Sequence, residues 1–230
     1  MKAIILAAGR SSRLYPITIE RPKCLLEIGG KRIIDRQIEA VNEIGIKEIV
    51  VVVGYKKDII IKEVGDAIVY REYKGYEQTN NLHTLWSIRD LLNDDYICLF
   101  SDVVFEPGII KMAKESTDDF CMIIDTKEIL EGTMRVEIEK EKLKGIGSHI
   151  PLSAASGNFI GIAKFSKIGS RMLLDQMGEM ISGHQNDYYT IAVDALAQKG
   201  IMIEYIDVKN SAWTEVDTQE DLEIARRIFS

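Results

Sequence analysis

Residues Lys2 to Leu14 read KAIILAAGRSSRL, a strand-like run that enters a glycine- and arginine-bearing loop without an ordinary surface turn. Lys2 to Ala8 is a short β-rich run that passes directly into Gly9, two arginines (Arg10, Arg13) and two serines (Ser11, Ser12). A loop leaving a parallel strand presents consecutive backbone N–H groups, and a following helix start adds a positive dipole, so it can hold phosphate oxygens. Gly9 allows close approach, and the arginine fork matches phosphate geometry. A tight strand-to-helix turn with solvated arginines fits the same residues. The stretch matches neither G-x-G-x-x-G nor G-x-x-x-x-G-K-[ST], so both readings stand at this point.

Outward from that loop, apolar β-rich runs alternate with helical periods, the pattern of a mostly parallel sheet covered by helices on both faces. Ile33, Ile34, Ile38, Val41 and Ile44 recur at helical spacing and Gly45 closes that helix. Ile49 to Val53 is a continuous β-branched run, as in a strand buried on both faces. A helix over Lys57 to Val64, a strand near Ala67 to Arg71 and a helix capped by Thr79 and running to Leu92 follow. Tyr96 to Phe100 and Phe120 to Ile124 read as buried strands whose carboxyl ends carry Asp102 and Asp125, where ligands of open α/β sheets gather. Met134 to Phe165 reads as a small β-rich excursion. Helices over Ser166 to Ile181 and Asn186 to Lys199, a strand over Ile201 to Asp207 and a helix capped by Thr218 complete the pattern. With no repeat or linker in view, a single domain over 1–230 accounts for the chain.

Composition narrows the function. The 230 residues are 46% hydrophobic, enough for a sizeable core, and the net charge is -7, which disfavours a nucleic-acid or anionic-membrane binder. Cys24, Cys98 and Cys121 are too scattered for a disulfide framework or thiolate metal site. No signal peptide is legible, and no run reaches the ~20 apolar residues of a membrane span. The expectation is a soluble cytoplasmic protein.

Arg21-Pro22-Lys23 follows the opening loop, and Pro22 constrains the chain so that Lys23 is held. Together the two segments resemble the nucleotidyltransferase family that activates sugar phosphates and related phosphorylated compounds, with its hallmark L-A-A/G-G-x-G-[ST]-R-[LM] followed by P-K. Leu6-Ala7-Ala8-Gly9-Arg10-Ser11-Ser12-Arg13-Leu14 and Pro22-Lys23 carry the match. It departs at Ser11, where the family has its second glycine; serine is tolerable there with a negative φ. Ser101-Asp102 falls where the family has G-D or A-D, and Glu215-Val216-Asp217-Thr218 with Glu220-Asp221-Leu222 resembles its closing segment. The resemblance implies a nucleotide-diphospho-sugar transferase-like, Rossmann-like fold, a triphosphate held by Leu6 to Ser12, and chemistry carried by Arg13, Lys23, Asp102 and Asp217. It also implies that Asp102 and Asp217 hold Mg²⁺, which takes one or two carboxylates plus substrate phosphates.

Within the family, the P-x-G-[LT]-A base-binding stretch of thymidylyl- and uridylyltransferases is absent. Asn80-Asn81, before a Leu-x-x-Leu-Trp pattern, resembles the cytidylyltransferases acting on phosphocholine, 2-aminoethylphosphonate and related compounds, and Gly157-Asn158-Phe159-Ile160-Gly161 resembles the same branch. Two carboxamides suit a base edge, ribose or phosphate; capping a helix is the other use of such residues. CTP is therefore the favoured triphosphate. Asp125, Gly157, Asn158, Tyr189, Trp213 and Glu215 are the acceptor-side candidates, with Tyr188 beside them, since carboxylates and aromatic faces suit a cationic acceptor. Relatives often carry a lysine where this chain has Ser148; Lys144, Arg135 and His149 are the available substitutes. A sugar-1-phosphate or inositol-phosphate transferase and a non-catalytic nucleotide sensor are the competing readings. A homodimer is left open.

Overall fold

The computed structural model describes residues 1–230. The first half runs β1 (Lys2–Ala7), α1 (Ile17–Glu20), β2 (Glu27–Ile28), β3 (Lys31–Arg32), α2 (Ile33–Glu43), β4 (Ile49–Val53), α3 (Lys57–Val64), β5 (Val69–Glu72), α4 (Asn81–Trp86), β6 (Tyr96–Phe100), β7 (Val103–Phe105) and α5 (Pro107–Glu115). The second half runs β8 (Phe120–Asp125), β9 (Met134–Glu139), β10 (Lys142–Gly147), β11 (Gly157–Phe165), α6 (Lys167–Met180), α7 (Thr190–Gln198), β12 (Glu204–Asp207), β13 (Trp213–Glu215) and α8 (Gln219–Ile228).

β1 is central in the sheet, between parallel β4 and β6, and is buried at every position, as a strand covered on both faces is. Its continuous apolar run is what such a doubly covered strand needs. The main sheet has nine strands in the path β10-β9-β11-β6-β1-β4-β5, with β8 beside β11 and β12 beside β8. The chain leaves β1 for β4 on one side and reaches β6 on the other. This reversal opens a crevice at the carboxyl ends of β1 and β6, the usual ligand position in an open α/β sheet.

The antiparallel part begins at β11, which pairs with β6 over Ile162–Phe165 and with β9 over Gly157–Phe159. Between the two partners the chain passes through Gly161 at φ +80°, where a Cβ would come within 2.8 Å of Val103 Cγ2 and 3.0 Å of Phe100 Cδ2. Glycine is needed there for both conformation and space.

Two cores hold the molecule. The large one fills the sheet and its covering helices, while a small one comprises Leu14, Leu26, Ile28, Ile33, Val104, Val216, Leu222 and Ala225. The small core joins the opening loop, the β2–β3 hairpin and α8, so burial of residues distant in sequence carries the C-terminal segment to the first loop. Full burial stabilises each such aliphatic side chain by roughly 1.5–3 kcal/mol.

Sequence expectations agree with β4 and α3 and depart at α4. That helix is capped by Asn80 and ends at Trp86, with a separate 3₁₀ turn at Arg89–Leu91. Thr79 instead donates its hydroxyl to Gly75 O and meets Tyr73 OH. All three cysteines are buried and free. No helix is long and apolar enough to cross a membrane.

Candidate active site

Lys23 lies in a 3₁₀ turn that begins after Pro22 and is only 8% exposed. The turn is braced by Arg21, which donates to Leu25 O and pairs with Glu63 on α3 through both terminal nitrogens, at 3.0 and 2.8 Å. Asp102 lies in the turn between β6 and β7. The carbonyls of Phe100 and Val103 on either side of it accept from buried Gln37 of α2, at 2.9 and 2.8 Å. Asp217 arrives from the far end of the chain. β13 pairs antiparallel with β7, setting Glu215 opposite Val103, and Val216 N donates to Asp102 O at 3.0 Å. Asp221, inside the capping box that Thr218 closes on α8, accepts from the Asp217 and Thr218 amides.

These elements converge on one ammonium. Lys23 Nζ lies 2.8 Å from Asp102 Oδ2 and 2.7 Å from Asp217 Oδ1, while Arg13 Nη2 lies 2.7 Å from Asp217 Oδ2. Burial alone would lower the Lys23 pKa, but Asp102 and Asp217 override it and hold the ammonium above its ordinary value. Burial likewise opposes ionisation of Asp217, and Lys23 and Arg13 overcome it, so its carboxyl lies below the usual range. Desolvation pushes the neighbouring Glu215 up to about 8, with the charges of Asp102 and Asp217 acting in the same direction.

One carboxylate oxygen is left over: Asp102 Oδ1 is buried without a hydrogen-bond partner. An orphaned buried oxygen is costly unless a ligand completes it. No group of three or more His, Cys, Asp or Glu side chains forms a closed metal cage here. Two carboxylates with one free oxygen fit a hard cation that completes its shell with substrate oxygens, as Mg²⁺ does.

This group forms one wall of a cleft of about 200 Å³ at the carboxyl ends of β1 and β6. Leu6, Ala7, Ala8, Gly9 and Ser11 line it as well, and a Cβ at Gly9 would meet nothing within 4 Å, so the backbone there is open to a ligand. Ser11 adopts φ +52°, ψ +48°, in the left-handed region, contrary to the negative φ expected of it. Its carbonyl is held there by Thr18 Oγ1 at 2.8 Å.

Arg10 and Ser12, expected at the nucleotide, do not line this cleft. Arg10 is turned outward to Glu77 at 3.2 Å and lies over the Tyr55 ring. Asn80 and Asn81 both line the cleft, and both also have structural partners. Asn80 Oδ1 accepts from Asn81 N and its Nδ2 donates to Asn186 O, while Asn81 Oδ1 accepts from Tyr189 N at 2.8 Å. Tyr189 itself is fully buried, packed edge-on against Phe100 and Phe165, and is not a ligand-facing group. The adjacent Tyr188 faces the cleft, and burial followed by the charges of Asp102 and Asp217 raises its pKa. Thr84 and Tyr76 also line it, unsignalled in the sequence because their types and spacing suit ordinary packing.

A second cavity of about 710 Å³ adjoins the first and shares Arg13 and Asp217 with it. Asp125, Trp213 and Glu215 line it, with Glu128, Glu131 and Asp221 adding acid and Lys127 a cation. Trp213 Nε1 donates to Asp125 Oδ2 at 2.7 Å. Gly157 and Asn158 lie behind this wall: a Cβ on Gly157 would come within 2.5 Å of Asp125 O, and Asn158 is fully buried. The three substitutes for the absent lysine are committed elsewhere. Lys144 pairs with Glu137 and Glu139, Arg135 donates to the carbonyls of Ser148 and Ile150, and His149 faces Asp194.

The chain is 28% identical to a CTP:phosphoglutamine cytidylyltransferase of Campylobacter jejuni, over 97% of this chain and 98% of that protein. It is 25% identical to a CMP-5'-(3-aminopropyl)phosphonate synthase of Streptomyces rubellomurinus, over 100% of this chain but 39% of that longer protein. Its fold matches the structure of CTP:phosphocholine cytidylyltransferase from Streptococcus pneumoniae with a TM-score of 0.82 at 21% identity, covering 100% of this chain and 99% of that one. Residues 2–128, which contain the opening loop, Lys23 and Asp102, match the family model described as nucleotidyl transferase, and the chain belongs to that family.

Proposed function

We propose that this chain, acting as one domain over residues 1–230, transfers CMP from CTP to a small phosphorylated or phosphonate acceptor that carries a cationic group. The observation that carries the reading is the placement of Lys23, Asp102 and Asp217 in the cleft at the carboxyl ends of β1 and β6, with Asp217 and Arg13 shared by an acid-rich cavity. The choice of cytidine draws on the Campylobacter and Streptomyces relatives, whose names specify CTP or a CMP product. The choice of a cationic acceptor draws on the Asp125, Glu128 and Glu131 carboxylates and the Trp213 ring of the second cavity.

In the reaction an oxygen of the acceptor's phosphate or phosphonate attacks Pα of CTP, forming a new P–O bond while the Pα–O bond to the β-phosphate breaks and pyrophosphate leaves. No protein nucleophile is required. The amides of the Gly9–Arg13 loop and the Arg13 guanidinium hold the β- and γ-phosphates, and Lys23 neutralises charge on Pα and the incoming oxygen. Asp102 and Asp217 would hold a Mg²⁺ ion, which supplies charge neutralisation on the phosphate oxygens when bound. Positioning and charge stabilisation then supply the catalysis.

The test is pyrophosphate release in the presence of Mg²⁺, crossing CTP, UTP, GTP, ATP and dTTP with phosphocholine, 2-aminoethylphosphonate, inositol-1-phosphate and glucose-1-phosphate. Turnover with CTP and a cationic acceptor is expected, and Lys23→Ala or Asp217→Asn should lower it by about a hundred- to a thousandfold. Turnover with a sugar phosphate instead would retain the chemistry and replace the acceptor. Tight CTP binding without any pyrophosphate release would favour a nucleotide sensor.

A further inference from the structure

We propose that Asn158 is a positioning residue for the acceptor: from inside the sheet it holds the loop Thr126–Thr133 as one wall of the second cavity. This rests on the reading of that cavity as the acceptor site. Asn158 stands in β11, between β8 and β9, and is fully buried. Its Nδ2 donates to Glu128 O at 2.5 Å and Asp125 O at 3.5 Å, and its Oδ1 accepts from Leu130 N at 2.9 Å and Thr133 Oγ1 at 3.0 Å. A carboxamide offers two donors and two acceptor lone pairs. All four are used on a single stretch of chain, from Asp125 at the end of β8 to Thr133 before β9.

The loop has little else to fix it. None of the backbone-to-backbone hydrogen bonds outside helices and strands involves residues 126–133. Its other ties are few: at the start of the loop Thr126 Oγ1 donates to Asp207 Oδ2 at 2.5 Å, Lys127 N donates to Asp125 Oδ1, and Thr133 Oγ1 lies 3.1 Å from Leu130 O. Its large apolar residues, Ile129 and Leu130, are 38% and 37% exposed and give no deep anchor. Yet Lys127, Glu128, Leu130, Glu131, Gly132 and Thr133 all line the cavity. A buried amide that replaces the missing sheet ladder therefore sets where those charges stand. Leaving its four partners unsatisfied would cost more than the loss of one exposed contact.

The experiment compares the full-length wild type with Asn158→Ala by hydrogen–deuterium exchange without substrate, and by steady-state kinetics with CTP, Mg²⁺ and phosphocholine. Exchange in 126–133 is expected to rise by about tenfold. The KM for phosphocholine should also rise about tenfold with that for CTP within about twofold, since only acceptor-side binding is loosened. Unchanged exchange in the loop, or a CTP KM that rises in step with that of phosphocholine, would overturn the inference. If Asn158→Ala does not fold, Thr133→Val removes one loop-side partner while leaving β11 intact, and should show the same KM split at about threefold; parallel changes in the two KM values would again count against it. A wild type inactive with CTP and every acceptor would sink the proposed function. A working wild type beside Asn158→Ala with unaltered kinetics would sink this inference alone.

Discussion

Lys23 Nζ lies 2.7 Å from Asp217 Oδ1, although the two residues are 194 positions apart. The same ammonium reaches Asp102, and Arg13 takes the second oxygen of Asp217, so one oxygen, Asp102 Oδ1, is left without a partner. Lys23 thus occupies the oxygens a divalent cation would use. Cation binding should depend on the lysine moving to the phosphates, which ties metal entry to nucleotide entry. Lys23→Met is expected to bind Mn²⁺ without nucleotide at least about tenfold more tightly than wild type, because an ion pair in competition is removed. Electron paramagnetic resonance of free Mn²⁺ reads this directly, and equal affinities would contradict it.

Ser11 holds a left-handed backbone at φ +52°. A non-glycine residue in this region loses roughly 1–2 kcal/mol, part of which glycine's larger unfolded-state entropy would offset. Ser11→Gly should therefore stabilise the chain by about 0.5–1 kcal/mol. A urea melt reads the change as a higher midpoint at unchanged slope; a lower midpoint would show that the Ser11 side chain contributes more than its backbone costs.

The Trp213 indole and the Asp125 carboxylate are joined at 2.7 Å in the second cavity. Trp213→Phe keeps an aromatic face and removes the donor, whose bond to a charged acceptor is worth about 1.5–3 kcal/mol. The expected result is an acceptor KM raised at least about tenfold with CTP binding unaltered. Initial rates over an acceptor titration measure this, and a CTP KM that changes instead would move Trp213 out of the acceptor site.

Thr218 caps α8 and closes a reciprocal box with Asp221, which also receives the Asp217 amide. Loss of the cap in Thr218→Ala should destabilise the chain by about 1 kcal/mol, seen as a lower thermal midpoint. Turnover should fall modestly as well, because Asp217 is the next residue along. Full turnover beside a lowered midpoint would show that the cap supports the helix alone.

Much of this was legible locally. The β-branched run of Ile49–Val53, the helix of Lys57–Val64 and the Thr218 cap depend on propensity and periodicity within a few residues, and the structure has them where those signals place them. Lys23 and Asp102 could be singled out because a proline-held lysine and a carboxylate at a strand end are local features too, and Asp217 because its contiguous segment resembles the family's closing motif. Asn80, and not Thr79, caps α4, since the Thr79 hydroxyl is taken by Gly75 O and Tyr73. Nothing within the segment itself foretells that.

The sequence by itself determined the strand-ending loop, the chemical groups available to it and the family to which they belong, because each is carried by contiguous residues. Tertiary structure alone decided which of those groups meet. Arg13 turns into the cleft to Asp217 while Arg10 pairs with Glu77 outside it, and Tyr188 faces the cleft while Tyr189 fills the core. Asn158, which reads as a ligand contact, instead spends its whole amide on the loop in front of it. The pairing of β7 with β13 brings the Asp217 segment to the opening loop, and that of β11 with β8 and β9 sets Asn158 beside its loop. Those contacts join residues far apart in the chain, and local periodicity carries no record of them.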